Sequence, residues 1–271
     1  MRSMRAVMSL LAIALLGCLG CAESESPLSW EEFQEQAYQE PDTGIYIVNG
    51  DEPAADLEQL RHAYDAYRAA ASQGSLATSE EALIVNRLKG GTDDRWSPAQ
   101  AQNLTFCISS SSFGSQYSAV VQAMSAATSA WEGVANVDFR HEVSQDGSCT
   151  RRSTGVVFNV RQVCTGQYLA RAFFPSSSRR EREVLIDCTS FGSIDPYTLT
   201  GILRHELGHT LGFRHEHTRP ESGTCFEDNS WRALTAYDSA SVMHYPQCNG
   251  SNEGDLVLTS LDRGGASTLY P

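Results

Sequence analysis

Positive charge is scarce in this chain of 271 residues: 20 Lys and Arg stand against 33 Asp and Glu, for a formal net charge of −13. That balance argues against a nucleic-acid partner. No internal repeat divides the sequence into units. No apolar run beyond the first 21 residues is long enough to span a membrane. No C-x-x-C pair follows residue 21, which argues against a zinc held by cysteines. Histidine is scarce as well, with seven in the whole chain. What is present, 41% hydrophobic and 9% aromatic residues, suits a globular protein: one large domain, or a domain with a smaller companion.

The start of the chain has the form of an export signal. Arg2 and Arg5 precede an apolar core over residues 6–16, broken only by Ser9 and too short for a mature membrane helix. Leu15-Leu16-Gly17-Cys18 resembles the bacterial lipobox, and Cys21 offers a second lipidation position; ordinary cleavage is the alternative. The expected product is exported, either secreted or lipid-anchored at a bacterial envelope. Residues 22–95 carry 16 acidic and 5 basic residues, against 17 and 13 in residues 96–271. We therefore expect a signal over 1–21, an acidic propeptide-like region and linker over 22–95, and a main domain over 96–271. The boundary falls in the Gly-rich, charged stretch 86–98.

Six cysteines remain after the signal: Cys107, Cys149, Cys164, Cys188, Cys225 and Cys248. An even number in an exported chain implies disulfides, with 15 pairings open. Cys225 with Cys248 and Cys149 with Cys164 each bracket a loop, which would leave Cys107 for Cys188.

The periodicity gives an α+β domain. Residues 104–108, 137–143, 156–163 and 183–188 form strands, and 116–131 form a helix with Val120, Val121, Met124, Ala127 and Trp131 on one face. A second helix starts at Asp195-Pro196 and runs to Gly212. In the leader, residues 54–71 read as a helix and 45–48 as a strand that enters the turn Asn49-Gly50-Asp51.

Four of the seven histidines fall between positions 205 and 217. In His205-Glu206-Leu207-Gly208-His209 the two rings lie one helical turn apart on the same face. Gly212 can end the helix in the left-handed conformation, so His215 can return as a third ligand. Three imidazoles with an open fourth position suit one catalytic zinc ion. Zinc acidifies a bound water, and Glu206 stands where it can take the proton and later return it. A binding or adhesion protein with a structural metal site is the competing reading, but it has no use for Glu206. A metal-dependent hydrolase of other substrates is a third.

H-E-x-x-H-x-x-G-x-x-H followed by Ser241-Val242-Met243-His244-Tyr245 resembles the metzincin zinc proteases, in their astacin branch. The run from His205 to Ser222, with Glu216-His217-Thr218-Arg219-Pro220, resembles the bacterial dual-action HEIGH metallopeptidases. The resemblance implies a twisted mixed sheet, a backing helix, the metal helix beneath the sheet and an irregular C-terminal subdomain. Protein or peptide substrates would lie extended along an edge strand, for which residues 184–186 are our choice. Met243 becomes the floor of the metal site. Tyr245 becomes a further, movable ligand and a donor to the oxyanion. His217 and His244 are not needed as ligands. Glu216 would meet a new N-terminal amine after activation. Val48-Asn49-Gly50-Asp51 partly matches the astacin propeptide motif, in which the aspartate plugs the zinc; a plain turn is the alternative. The Arg179-Arg180-Glu181-Arg182 loop is expected to be solvated instead of paired with Asp51. Oligomeric state, cleavage preference and activation site stay open.

Overall fold

Along three stretches, apolar side chains recur at every second position, the period of two that presents one strand face to a core. Leu104, Phe106 and Ile108 do so in β5 (Leu104–Ile108), Phe158 and Val160 in β7 (Phe158–Val163), and Val184 and Ile186 in β9 (Glu183–Asp187). The computed structural model describes residues 27–73 and 83–271, so the expected export signal, with Cys18 and Cys21, lies outside the described residues.

With β6 (Phe139–His141) and β8 (Ala170–Arg171) these strands build one five-stranded sheet, in the order β6-β5-β7-β9-β8. The first four run parallel and β8 runs antiparallel to β9. Residues 184–186, expected at the edge, lie between β7 and β8. The edge on that side is the two-residue β8. All five residues of β9 are buried, as a strand covered on both faces requires. The strand expected over 137–143 is shorter than its alternation suggests: Val143 leaves the sheet in a 3-10 turn and is 62% exposed.

Two helices pack on the sheet's inner face. One, Tyr117–Glu132, buries Val120, Met124, Ala127 and Trp131, as its spacing implied. The other, Leu199–Thr210, is buried over nearly its whole length. Its N-cap is Thr198, whose hydroxyl accepts from the Gly201 amide at 3.0 Å, and not the expected Asp195. A last helix, Ser260–Leu269, starts with a Thr259–Asp262 capping box.

The leader is ordered around two helices, Trp30–Gln36 and Leu57–Gln73, and a small sheet of β1 (Tyr38–Gln39), β2 (Tyr46–Val48) and β3 (Glu52–Ala54). Ile45 and Ile47 pack on Leu185 and Tyr168, covering part of the sheet's outer face. The stretch 86–98, expected as a linker, is exposed over most of its length and anchored by the buried Asp94 and Trp96. Just before it, β4 (Ile84–Asn86) pairs with β10 (Trp231–Ala233), and Leu83 and Val85 belong to the main core.

Among the described residues, two disulfides close the fold. Cys225–Cys248 is the expected one; Cys107–Cys149 replaces the expected partners of both residues. Cys107 points to the outer face of β5, where the turn carrying Cys149 crosses, and the pair forms its own small apolar cluster with Val156. Cys164 and Cys188 are unbonded and follow β7 and β9, whose last residues Val163 and Asp187 are in register.

Candidate active site

The helix Leu199–Thr210 carries His205 and His209 on one face, and Gly212 ends it at φ +97°. A Cβ on Gly212 would stand 2.1 Å from the Asp94 carbonyl oxygen, so glycine is required for space as well as conformation. Phe213 then turns inward and stacks on Trp131 at 5.3 Å, and the chain returns with His215. Below lies Met243, whose sulfur would be 2.3 Å from a Cβ placed on Gly208.

Each of the three rings is held through Nδ1. His205 Nδ1 lies 2.8 Å from the Val242 carbonyl, His209 Nδ1 2.8 Å from the Phe213 carbonyl, and His215 Nδ1 2.7 Å from Glu227 Oε1. A carbonyl or carboxylate at Nδ1 selects the tautomer with its proton there, which leaves the Nε2 lone pair facing inward. All three Nε2 atoms are buried without a hydrogen-bond partner. Asp51 comes from the leader to meet them. Its oxygens lie 3.3, 3.4 and 3.1 Å from Nε2 of His205, His209 and His215, in contacts that lack hydrogen-bond geometry, and its Oδ1 is also unpaired. The four ligand atoms lie within 4.8 Å of one another. Buried polar atoms left unbonded are costly. Imidazole nitrogens and a carboxylate oxygen turned on one point are the donor set of a zinc-type ion, so these residues fit the metal that the motif implies.

Burial pushes His205 down to about 4, which favours its neutral, ligating form. Burial alone would raise Asp51, but the imidazoles of His215 and His209 that face it hold its carboxyl well below the usual range. Glu206 is raised well above a normal carboxyl, first by burial and then by the charge of Asp51, and its Oε2 has no partner. Tyr245 stacks against His205 and His215 and donates its hydroxyl to Asp51 Oδ2 at 2.6 Å. Gly50, at φ +95°, lets the leader pass: a Cβ there would sit 2.9 Å from that hydroxyl. The structure thus brings His205, His209, His215, Glu206, Tyr245 and Asp51 to one cleft, with Met243 beneath it.

Several neighbours were not foreseen. Glu227 accepts from Arg214 at 2.9 Å and contacts His217 Nε2 at 3.2 Å, besides holding His215. Arg214 also meets leader residue Glu52 in two contacts of 3.0 Å. Asp262 fixes the methionine turn, accepting from the Ser241 hydroxyl at 2.6 Å and the Val242 amide at 2.9 Å. The Thr-x-x-Asp capping pattern at Thr259–Asp262 was the available signal for that helix; Glu227 sits in an irregular stretch that carries no period. His217 and His244 are both buried next to Tyr245: His217 Nδ1 accepts from the Tyr245 amide, and His244 Nδ1 lies 3.0 Å from the Tyr245 carbonyl. Glu216 lies buried with Oε2 unpaired, 3.4 Å from Arg219 through Oε1. Arg179 and Arg182 bond backbone carbonyls of the domain, away from Asp51.

The model of the dual-action HEIGH metallo-peptidase family matches residues 89–230. Nematocyst expressed protein 6 of Nematostella vectensis is 29% identical over 120 residues, 36% of this chain and 39% of that protein. Zinc metalloproteinase nas-30 of Caenorhabditis elegans is 41% identical over 71 residues, 19% of this chain and 9% of that protein. The chain thus spans two fifths or less of the length of the curated relatives it matches. Among solved structures, that of myroilysin is 18% identical with a TM-score of 0.48, covering 69% of this chain and 98% of its own.

Proposed function

The chain belongs to the dual-action HEIGH metallo-peptidase family; from that premise we propose that it is an exported zinc endopeptidase, made as a zymogen whose leader blocks its own active site. One observation carries this reading: the Asp51 carboxylate faces all three imidazole Nε2 atoms and accepts the Tyr245 hydroxyl. A water needed for hydrolysis has to stand where that carboxylate stands.

His205, His209 and His215 would hold the zinc, which when bound supplies a Lewis acid able to polarise a carbonyl and acidify a water. Glu206 takes the proton of the attacking water and returns it to the leaving amine. Leader release takes away the charge of Asp51, the second cause after burial of Glu206's raised pKa, and so moves Glu206 towards the ionised form that a base requires. The Tyr245 hydroxyl, freed from Asp51, turns to the carbonyl oxygen of the scissile bond as a donor. The substrate lies extended along β8, whose outer edge pairs with no strand among the described residues.

The unit released is the region before Leu83, because Leu83 and Val85 sit in the main core and β4 is bonded to β10. The disulfides Cys107–Cys149 and Cys225–Cys248 support an oxidising compartment outside the cytoplasm, in keeping with a signal over 1–21 that ends in secretion or in lipidation at Cys18 or Cys21. The adhesion reading loses its basis with the family membership.

The test compares the full chain with its Asp51→Ala and Glu206→Ala variants, measuring bound zinc and casein cleavage. We expect zinc in all three, activity that rises in Asp51→Ala, and none in Glu206→Ala. Equal activity in the full chain and Asp51→Ala would remove the latch. Zinc-loaded protein that never cleaves casein, even after proteolytic removal of the leader, would remove the endopeptidase reading.

A further inference from the structure

Arg171 is the second residue of the edge strand β8, and its side chain is fully buried. Its guanidinium grips leader residue Glu40 in a two-pronged contact, Nε to Oε1 and Nη2 to Oε2, both at 2.9 Å. The Tyr168 hydroxyl donates to the same Glu40 Oε1 at 2.8 Å. Within the domain, Arg171 has much less. The Glu183 carbonyl accepts from it at 3.3 Å, and Glu183 Oε2 stands 4.0 Å away. That Glu183 is already shared: Asn159 and Arg161 donate to its Oε1 at 2.8 and 2.7 Å, and Arg151 lies 3.7 Å from Oε2. Three arginines therefore surround one domain carboxylate, and the second carboxylate comes from the leader.

The socket adjoins the cleft. Tyr168 contacts Glu40 through its hydroxyl and lines the cleft that holds His205, Glu206 and Tyr245. Arg171 is close enough to Glu206 for its charge to act on that carboxyl. A guanidinium cannot shed its proton to escape burial, so one that loses its counterion demands another anion of matching shape. A carboxylate fills a planar fork with two parallel bonds; a primary amide has the shape but neither the charge nor the second acceptor.

We propose that Arg171 and Tyr168 form a carboxylate-binding subsite at the rim of the cleft, which Glu40 fills in the zymogen and which takes an aspartyl or glutamyl side chain of the substrate once the leader has gone. This rests on the reading that the leader leaves before turnover. The leader then occupies two places meant for other groups: Asp51 stands in for the water, and Glu40 for an acidic substrate residue.

The experiment starts from the full chain with a site-specific protease sequence placed within residues 74–82, cut and freed of its leader in high salt. One arm measures binding of a peptide copying residues 36–45, against the same peptide with Glu40→Gln. The other measures kcat/KM for paired fluorogenic peptides that differ only by Glu or Gln at each position in turn. We expect the acidic peptide to bind about ten-fold or more tightly than its amide partner, the range of a hydrogen bond to a charged group. Acid should also be preferred over amide by a similar ratio at one substrate position. Both ratios should fall to about one in Arg171→Gln. Tyr168→Phe, which deletes a single hydroxyl, should lower them several-fold and serves if Arg171→Gln does not fold. Equal binding of acid and amide by the parent protein would overturn the subsite. A preference for the leader peptide without any substrate preference would overturn it too, leaving Arg171 an anchor for the leader alone. Arg171-dependent binding in a protein that cleaves no peptide would support the carboxylate site and sink the endopeptidase reading instead.

Discussion

On the domain side each active-site imidazole is tied through Nδ1 to a backbone carbonyl or to Glu227, and Phe213 and Val242, which supply the two carbonyls, are buried in one continuous core. On the leader side the same rings face a carboxylate, and two further polar holds are carboxylates on buried arginines: Glu52 on Arg214 and Glu40 on Arg171. Its apolar hold on the sheet is small, chiefly Ile45 and Ile47 on Leu185 and Tyr168, about 1.5–3 kcal/mol for each fully buried side chain. The domain's hold comes from burial, which salt and acid hardly alter. The leader's hold comes from charge, which both weaken. Such a molecule can lose the leader and keep the positions of its three rings. Four changes test that contrast, two at the domain's centre, one at its methionine turn and one at the leader's edge.

The largest effect is expected at Glu206, where the domain side does its chemistry. In leader-free protein, Glu206→Gln should lower kcat by about 10²- to 10⁴-fold, the usual worth of a positioned proton carrier. Bound zinc should be unchanged, because no ring is tied to Glu206. The melting temperature should not fall, since the carboxyl is buried with Oε2 unpaired and an amide carries no charge to desolvate. A drop in kcat of less than ten-fold would show that another group moves the proton.

Next comes Phe213→Ala, which strikes the domain's hold directly. The ring is fully buried against Trp131, and its own carbonyl orients His209. We expect a loss of about 3–5 kcal/mol in denaturant unfolding of the full chain, as for other buried Phe→Ala changes. Zinc affinity should fall with it. A comparable loss from Ile47→Ala, without separation of the leader, would mean that leader and domain form a single cooperative core and that the contrast is wrong.

A smaller cost, about 1–3 kcal/mol, is expected for Asp262→Ala, which leaves the Ser241 hydroxyl and the Val242 amide without their acceptor. Because Val242 carries the carbonyl that holds His205, this change should also loosen zinc, read as faster loss to a chelator. Loss of stability with zinc retention unchanged would confine Asp262 to the helix cap.

How much of this was legible in the sequence depended on whether a residue's place follows from local spacing. The two rings at i and i+4, the left-handed glycine after them and the Gly-Asp turn are local patterns, and the residues they named meet in one cleft. The sheet was legible where strands alternate over five residues or more. It was not legible at β8, because two residues carry no period, and the edge was assigned to β9 instead. Continuous burial of β9 in Glu183-Val184-Leu185-Ile186-Asp187 marks an interior strand, but two buried acids hid it. The disulfides failed for a related reason: Cys107–Cys149 depends on which face of β5 points outward, a register that cysteine spacing does not encode. Glu227, Arg171 and Glu40 act across 12, 131 and 131 residues of chain, so only the folded arrangement brings them to their partners.

The smallest effect, and the one that isolates the leader side, is the pH response at Glu40. Burial alone would raise this carboxyl, but Arg171 outweighs it and holds the pKa below the ordinary 4.5. A carboxyl lowered on docking contributes its full share above the undocked value, and that share is lost as pH falls through the lowered one. In protein cut within residues 74–82, the leader should therefore stay bound at neutral pH and dissociate more readily once pH drops below about 4.5, followed by gel filtration. Glu52 works the other way: burial leads in raising its pKa when docked, so its protonation does not loosen the leader, and the net response is modest. Glu40→Gln should lower the acid sensitivity, leaving the share that comes from Asp51, whose carboxyl is also held low when docked, while weakening docking at neutral pH by about 1.5 kcal/mol or more, within the range of a hydrogen bond to a charged group. An acid response that persists unchanged in Glu40→Gln would place the leader's charge-dependent hold elsewhere, on Asp51 and the rings themselves.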